Sequence, residues 1–342
     1  MKARIVKTVA IVVAGMALVS QGNAQEVTLR VADSFPSGHY IAENLAKKFM
    51  AAVNEKTGGK IDFQYFPSEQ LGKAADMLSL TVDGVTDIGY VGPSYVSDKL
   101  PLSAVAQLPE AFTNSCQGTL AYWELAKPGG ILDEAEFKPN GVRLLMAMVL
   151  PPYQLVTSSK ELTGLDSIRG LKIRATGGAM ELVVSSLGGV PVQMAAPEVR
   201  EALSRGTIDA GLFPHSSILS YEMQTHLKYG TELMNFGSFV ATYVISIDRW
   251  NSLPDDVKAA MSDVGERATR EGCEAADQLD ATDKEKIAQS GVTFGPLSQD
   301  ETTKINEALS GVGAKWAADL DARGKNGSEI LQAFRAAVQA AN

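Results

Sequence analysis

The sequence predicts a two-lobed α/β protein in which each lobe is a mainly parallel sheet flanked by helices. Short runs of alternating apolar residues are each followed by apolar residues at helical spacing, the order that is typical of parallel sheets. This pattern stops at Pro151-Pro152 and then begins again, which indicates a crossover into a second lobe. A chain of 342 residues is also long enough for two such units.

The first lobe is predicted from strong local patterns. Alternation over 27–31 predicts a strand, and the helical spacing of apolar residues that follows ends at Gly58-Gly59. The further elements of this lobe are a strand over 61–65, a helix over 73–82, and strands over 88–91 and 144–150.

Beyond the crossover, an extended run over 153–157 leads into a second set of elements. The predicted strands cover 171–175, 190–193 and 208–212, and the predicted helices cover 179–187 and 197–204. A strand over 240–247 would then return the chain to the first lobe. We therefore assign residues 25–151 plus 240–280 to domain I, and residues 152–239 plus 281–342 to domain II.

The C-terminal part of the chain is predicted to be helical. A long pattern over 254–289 begins with Asp255-Asp256 and ends before Gly291, and a helix of about 50 Å could run along both lobes. Ser298 and Glu301 have the spacing of a capping box for the next helix, and Gly327-Ser328 precedes the last one.

Residues 1–24 have the features of a secretory signal peptide. Three cations precede an apolar segment over 8–20, and Gly22-Asn23-Ala24 supplies the small residues expected before cleavage after Ala24. The apolar segment is too short to span about 30 Å of hydrocarbon. The sequence therefore predicts a soluble, exported protein.

The charge of the chain excludes some classes of partner. The net charge is −9, and the mature chain is more acidic still because the predicted signal carries cations and no acids. An acidic surface is unfavourable for binding nucleic acid or an anionic membrane. An anionic ligand would therefore have to be bound by local chemistry.

The sequence contains two cysteines, Cys116 and Cys273. In an oxidising compartment, such a pair forms either one disulfide or two buried thiols. We expect the disulfide.

One short run places a cation where a ligand could reach it. Gly170 to Arg174 falls on the short apolar strand predicted over 171–175, which carries the arginine near its end, and Gly177-Gly178 follow it. A guanidinium matches a carboxylate in shape, and a helix that begins near Gly178 would add its positive pole. These residues alone fit either a carboxylate receptor or a surface arginine at the end of a strand.

Several motifs occur in a fixed order along the chain. They are Gln70-Leu71-Gly72, Asp83-Gly84 with Asp87-Ile88-Gly89, Leu108-Pro109, Gly170 to Arg174, Glu198 with Ala202-Leu203 and Gly206, Ile208-Asp209, and Trp250 with Leu253-Pro254. With them the chain resembles, from about Val27 to its C-terminus, the solute-binding proteins of tripartite ATP-independent periplasmic (TRAP) transporters, the dicarboxylate-binding P-subunit (DctP) family.

This resemblance implies a periplasmic binding protein of two lobes with a long helix that spans both. It implies a location in the periplasm and, as partners, the small and large membrane subunits of a TRAP transporter. It also implies that Arg174 forms the salt bridge to the carboxylate of the ligand.

The second lobe departs from the pattern of that family at two places. Gln154 stands where many members have a second arginine, and it can hydrogen-bond a ligand or satisfy the backbone, but it supplies no charge. Leu212 replaces a glutamate, and the adjacent Phe213 would offer a ring to the ligand or pack in the core. His215, just beyond, could donate to an anion or be structural.

The first lobe contributes candidates from two loops. His39 follows the first predicted strand, and Tyr90, Ser94 and Tyr95 lie at the end of the strand over 88–91 and in the loop after it. In open α/β sheets, ligands bind beyond the carboxyl ends of the strands, where both loops should lie.

Together these features predict an extracytoplasmic receptor that captures a small organic acid between its lobes and delivers it to TRAP membrane subunits. Since one cation is kept and other polar positions are lost, we expect an apolar or aromatic monocarboxylate. A carboxylate-binding protein of an ABC importer or a sensor is the alternative. An exported hydrolase is less favoured, because no nucleophile elbow or zinc-binding motif is present. We expect a monomer without catalytic activity, cofactor or metal.

Overall fold

The computed structural model describes residues 27–109 and 112–341. The predicted signal peptide and its cleavage site after Ala24 lie outside the described residues. Two mainly parallel sheets, each flanked by helices, form the centres of two lobes, so the predicted fold class is confirmed.

The strands divide between the two sheets. In chain order they are β1 (Val27–Ala32), β2 (Ile61–Phe66), β3 (Ile88–Val91), β4 (Val142–Val149), β5 (Gln154–Thr157), β6 (Lys172–Ala175), β7 (Val190–Gln193), β8 (Ala210–Phe213), β9 (Tyr229–Glu232), β10 (Val240–Ser246) and β11 (Thr293–Pro296). The strand order is β2-β1-β3-β10-β4 in the first sheet and β11-β9-β5-β8-β6-β7 in the second.

One strand in each sheet runs against its neighbours. β10 pairs antiparallel with β3 and β4, and β5 pairs antiparallel with β8 and β9. Both are the first strands after the chain crosses between the lobes. The chain enters each sheet from the side at which the parallel strands have their carboxyl ends. Its first strand there therefore runs in the opposite direction. The carboxyl ends of the parallel strands in both sheets therefore face the region between the lobes, where such sheets bind ligands.

Helices cover the faces of the sheets. They are α1 (Lys48–Lys56), α2 (Met77–Val82), α3 (Ser115–Ala126), α4 (Leu165–Ile168), α5 (Ala179–Ser186), α6 (Ala196–Ser204), α7 (His215–Ser220), α8 (Ile247–Asn251), α9 (Asp255–Gln289), α10 (Gln299–Leu309), α11 (Val312–Asp321) and α12 (Gly327–Ala340). Short 3-10 and π-helical segments cover Ala42–Lys47, Ala74–Asp76, Pro93–Val96, Leu102–Gln107, Asp133–Phe137 and Met223–His226. Within the described part of the chain, no helix is both long and apolar enough to cross a membrane.

The long helix α9 spans both lobes, as the resemblance implied. It packs on α1, α3 and β4 of the first lobe and on α7 of the second. Its Asp277 carboxylate accepts the backbone N–H groups of Ser115 (2.7 Å) and Cys116 (3.1 Å) at the start of α3. One turn later, Asp280 accepts the backbone N–H of Ser216 (3.1 Å) at the start of α7. Two acids of one helix therefore cap one helix of each lobe.

The cysteines form the expected disulfide. Cys116 of α3 is bonded to Cys273 of α9, with 4.8 Å between their Cα atoms and 157 residues between them in sequence. The bond ties the first lobe to the helix that spans both.

The C-terminal helices attach to both lobes. The hydroxyl of Ser298 accepts the N–H of Glu301 (3.3 Å), as the capping box predicts. The Glu301 carboxylate, however, accepts the N–H of Leu165 (2.9 Å) and so joins α10 to α4. In contrast, α12 packs on α3, and the rings of Phe334 and Phe112 meet edge to face at 6.3 Å.

Candidate functional site

A small cavity lies between the lobes, at the carboxyl ends of the parallel strands. The first lobe lines it with Phe35, His39, Ile41, Tyr90 and Tyr95, and the second with Tyr153, Arg174, Ala196, Phe213, Ser217 and Tyr221. Leu150 and Phe239, beside the two crossing segments, complete the lining. The space between the atoms, including its opening, is about 280 Å³. Only about 20 Å³ of this space admits the centre of a water-sized sphere, so the lobes would have to separate before an aromatic ring could enter.

Arg174 is the only charged residue among the described residues that line the cavity. It is the last residue but one of β6 and is 1% exposed. Its Nε donates to the backbone oxygen of Met194 (3.2 Å) and its Nη2 donates to the hydroxyl of Tyr95 (3.3 Å). These bonds use two of the five N–H groups of a guanidinium and hold the fork in place. No carboxylate within residues 27–109 and 112–341 forms a salt bridge with it.

Phe213 packs against this guanidinium. The Cζ of Arg174 lies 4.4 Å from the centre of the Phe213 ring, within the range of a cation–π interaction. Gly211, two residues earlier on β8, makes this possible, because a Cβ there would lie 2.9 Å from the ring of Phe213. The ring also stacks on Tyr153, with centres 6.2 Å apart. Phe213 is thus part of the cavity wall.

Tyr95 joins the two lobes at the cavity. It belongs to the first lobe, and its hydroxyl accepts hydrogen bonds from Arg174 and from the backbone N–H of Ala196 (3.1 Å), both in the second lobe. Because the oxygen accepts both bonds, its own proton remains available to a ligand.

The other phenols of the cavity are neutral. Burial raises the pKa of Tyr90, Tyr153 and Tyr221 well above the usual value, and for Tyr153 the nearby Arg174 opposes this shift in part. The wall is therefore mostly aromatic, with hydroxyl groups at a few points and one fixed positive charge.

His39 lies in the cavity wall of the first lobe and is fully buried. Its Nδ1 accepts the backbone N–H of Ile41 (3.2 Å), and its Nε2 has no hydrogen-bond partner among the described residues. Burial lowers the pKa of His39 to about 3, so the ring is neutral at physiological pH.

Behind the wall, Asp33 follows β1 and is buried. The hydroxyls of Tyr65 (2.7 Å) and Tyr243 (2.9 Å) donate to its Oδ2, and the N–H of Phe35 (3.1 Å) donates to its Oδ1. Burial raises the pKa of Asp33 to about 6, although these hydrogen bonds oppose the shift. Its bonds hold Phe35, which lines the cavity.

Gln154, predicted to contact the ligand, is not among the cavity residues. Its Nε2 donates to the backbone oxygen of Met234 (2.6 Å), and its Oε1 accepts from the hydroxyl of Thr231 (3.1 Å) and the N–H of Met234 (3.2 Å). The amide therefore satisfies the backbone beside β9. The preceding residue, Tyr153, faces the cavity instead.

Two further candidates also lie outside the cavity lining. The Nδ1 of His215 is 2.9 Å from Oδ2 of Asp280, so this side chain holds α9 to the start of α7. Ser94 is 1% exposed. A Cβ on Gly177, in the second lobe, would lie only 2.7 Å from the backbone oxygen of Ser94. Ser94 thus contributes to the close approach of the two lobes.

The structure therefore brings together five of the eight predicted ligand-binding residues. They are Arg174, Phe213, Tyr90, Tyr95 and His39. Sequence reasoning missed Tyr153 and Tyr221. Tyr153 could have been found from the alternation of a strand, since neighbouring residues point to opposite faces. Tyr221 follows α7 in a segment without a local signal.

The chain is similar to known proteins over most of its length. The model of the family described as bacterial extracellular solute-binding protein, family 7, matches residues 31–319. The C4-dicarboxylate-binding periplasmic protein DctP of Rhodobacter capsulatus is 27% identical over 307 residues, which are 85% of each chain.

Solved structures share the fold. A TRAP solute-binding protein from Rhodoferax ferrireducens in complex with copurified benzoate is 24% identical, with a TM-score of 0.86 over 92% of this chain and 98% of the other. A TRAP periplasmic solute-binding protein from Bordetella bronchiseptica with bound (R)-mandelate and (S)-mandelate is 23% identical, with a TM-score of 0.84 over 92% of this chain and 100% of the other.

Proposed function

The chain belongs to the bacterial extracellular solute-binding proteins of family 7, and we propose that it is the receptor of a TRAP transporter for a small aromatic monocarboxylate. The observation that carries this proposal is Arg174, a buried cation without a carboxylate partner among the described residues, in an otherwise uncharged aromatic cavity. A buried charge is unfavourable unless it is paired, and a ligand carboxylate would pair it.

A single positive charge supports a ligand with a single negative charge. A second carboxylate would be buried among phenyl and phenol rings without a cation, which is strongly unfavourable. The flat rings of Phe213, Tyr153 and Phe35 favour an aromatic body. The two structural neighbours that hold benzoate and mandelate have ligands of this kind.

Binding would couple to closure of the lobes. The lobes already touch through Tyr95 and Arg174, through the Tyr40 and Ser217 hydroxyls (3.5 Å), and through Gln107 and Thr176 (3.4 Å). A ligand that contacts both lobes stabilises this closed form over an open one. Closure also excludes water from the ion pair between Arg174 and the ligand carboxylate. The membrane subunits of the transporter would bind the closed form and accept the ligand. The protein would act by binding, without a chemical step.

Export fits this role. We propose that residues 1–24 are removed after Ala24 and that the mature protein works in the periplasm as a monomer, with domain I formed by 25–151 plus 240–280 and domain II by 152–239 plus 281–342. N-terminal sequencing of the exported protein would test the cleavage site, and light scattering would test the monomeric state.

The experiment that tests the function is a ligand screen. The mature protein is unfolded and refolded to remove any bound ligand, and thermal unfolding is measured with benzoate, phenylacetate, branched aliphatic acids and succinate. A ligand present at 100 times its Kd adds about 2.7 kcal/mol to the free energy of unfolding. Stabilisation by the aromatic monoacids alone supports the proposal. Stabilisation by succinate but not by benzoate would overturn the ligand class, and no stabilisation by any acid would overturn the carboxylate receptor.

A further inference from the structure

The tautomer of His39 is determined by its surroundings. Its Nδ1 accepts the backbone N–H of Ile41 (3.2 Å) and so carries no proton. Burial lowers the pKa of the ring to about 3, so the ring is neutral and its one proton lies on Nε2. His39 therefore presents an uncharged N–H donor.

The ring of His39 is held in place by its neighbours. It stacks on Phe35, with ring centres 4.4 Å apart, and on Tyr40 at 4.9 Å, and it meets Tyr221 edge to face at 4.7 Å. These ring contacts and the hydrogen bond at Nδ1 favour a single orientation of the imidazole.

The Nε2–H group has no partner among the described residues, although His39 is fully buried. Buried donors are nearly always hydrogen-bonded, because leaving one unpaired is unfavourable. His39 lines the cavity, and this N–H is its one polar atom without a partner among the described residues. A group bound in the cavity is therefore the candidate partner for this N–H.

Arg174 and His39, which are donors from opposite lobes, differ in chemistry. Arg174 lies in the second lobe and offers a charged fork, which suits a carboxylate. His39 lies in the first lobe and offers a single neutral N–H, which suits a single acceptor oxygen. On the basis of the proposed function, we infer that the ligand carries a hydroxyl or carbonyl oxygen besides its carboxylate, and that the Nε2–H of His39 binds this oxygen. The ligand is then a hydroxy- or oxo-substituted aromatic acid, bound between the lobes at both of its polar ends.

The test uses matched pairs of acids that differ by one oxygen. Isothermal titration calorimetry on the refolded protein compares benzoate with 3-hydroxybenzoate and 4-hydroxybenzoate, and phenylacetate with mandelate. We expect at least one hydroxylated acid to bind about ten times more tightly than its parent, or better, as a satisfied buried donor predicts. Equal or weaker binding of every hydroxylated acid would overturn the inference.

Variants identify the residue responsible. His39→Phe removes the N–H and keeps a flat ring beside Phe35 and Tyr40. The variant should bind the hydroxylated acid and its parent with about equal Kd. The parent acid should bind within about threefold of its wild-type affinity. His39→Gln keeps an N–H donor and should retain part of the preference. It also serves if the Phe variant does not fold. His226→Gln changes a histidine outside the cavity lining and should leave the preference unchanged.

The outcomes separate the two proposals. If benzoate and phenylacetate bind but the preference survives in His39→Phe, or is equally lost in His226→Gln, the role of His39 is wrong and the proposed function stands. If no aromatic acid binds, the proposed function fails and the inference fails with it.

Discussion

Replacement of Arg174 by methionine should abolish most of the ligand affinity without unfolding the protein. Methionine keeps much of the length of the side chain but removes the guanidinium that binds Met194, Tyr95 and the ring of Phe213. Among the described residues it breaks no salt bridge, so it leaves no buried acid unpaired. Because an unpaired buried cation is itself unfavourable, we expect the free energy of unfolding without ligand to change by no more than about 1 kcal/mol.

The effect on binding is much larger. In the variant, the ligand carboxylate would be buried without a cation, and removal of one partner of a buried charge pair costs about 2–5 kcal/mol. At 1.4 kcal/mol for each factor of ten, Kd should increase by a factor between about 30 and a few thousand. Isothermal titration calorimetry with the tightest aromatic acid from the screen measures this, and thermal unfolding reports on the fold.

Arg143 provides a matched control. Its Cζ also lies 4.4 Å from an aromatic ring, that of Trp250, but it does not line the cavity. Arg143→Met therefore removes the same kind of contact and should leave Kd unchanged. A Kd for Arg174→Met within threefold of the wild-type value would refute the role of Arg174, as would an equal loss of affinity in both variants.

Two further predictions concern Tyr95 and Asp33. Tyr95→Phe removes the oxygen that accepts from Arg174 and Ala196 across the lobes, so ligand affinity should fall by about 1–3 kcal/mol, and a Kd equal to that of the wild type in calorimetry would contradict the interlobe role. For Asp33, the pKa of about 6 in the folded protein is above the ordinary 3.8, so between these values the folded state binds a proton that the unfolded state does not. The wild type should therefore gain stability relative to Asp33→Asn as the pH falls from about 7 to 4, by up to about 3 kcal/mol. Urea unfolding at several pH values measures the difference, and a difference that does not vary with pH would show that burial does not raise this pKa.

Most of the architecture could be predicted from local patterns. The strands around 27–31, 61–65 and 88–91 and the long helix appeared where apolar periodicity and glycine stops placed them. Such patterns suffice because a strand or helix needs only one apolar face of the correct period to be buried. The antiparallel direction of β5 and β10 was not evident from the sequence. It depends on whether the crossing chain enters a sheet at the amino or the carboxyl ends of its parallel strands.

The binding site was predicted less completely. Arg174 could be located because it lies near the carboxyl end of a strand, and that end had to face the cleft. The sequence could not show that Gln154 turns toward Met234 while Tyr153 takes the cavity position. A shift of one residue along a strand reverses the face of every side chain, and packing against the rest of the lobe decides the register.

The sequence by itself determined that this chain forms two α/β lobes and carries a candidate carboxylate-binding arginine, because strand periodicity and a strand-end cation are local features. Only the tertiary structure decided that His215 holds Asp280, that Tyr95 holds Arg174, and that the Nε2 of His39 has no partner among the described residues. Each of these outcomes depends on which polar group of a distant segment lies within hydrogen-bond distance. That distance is set by the packing of the two lobes and not by neighbours in the sequence.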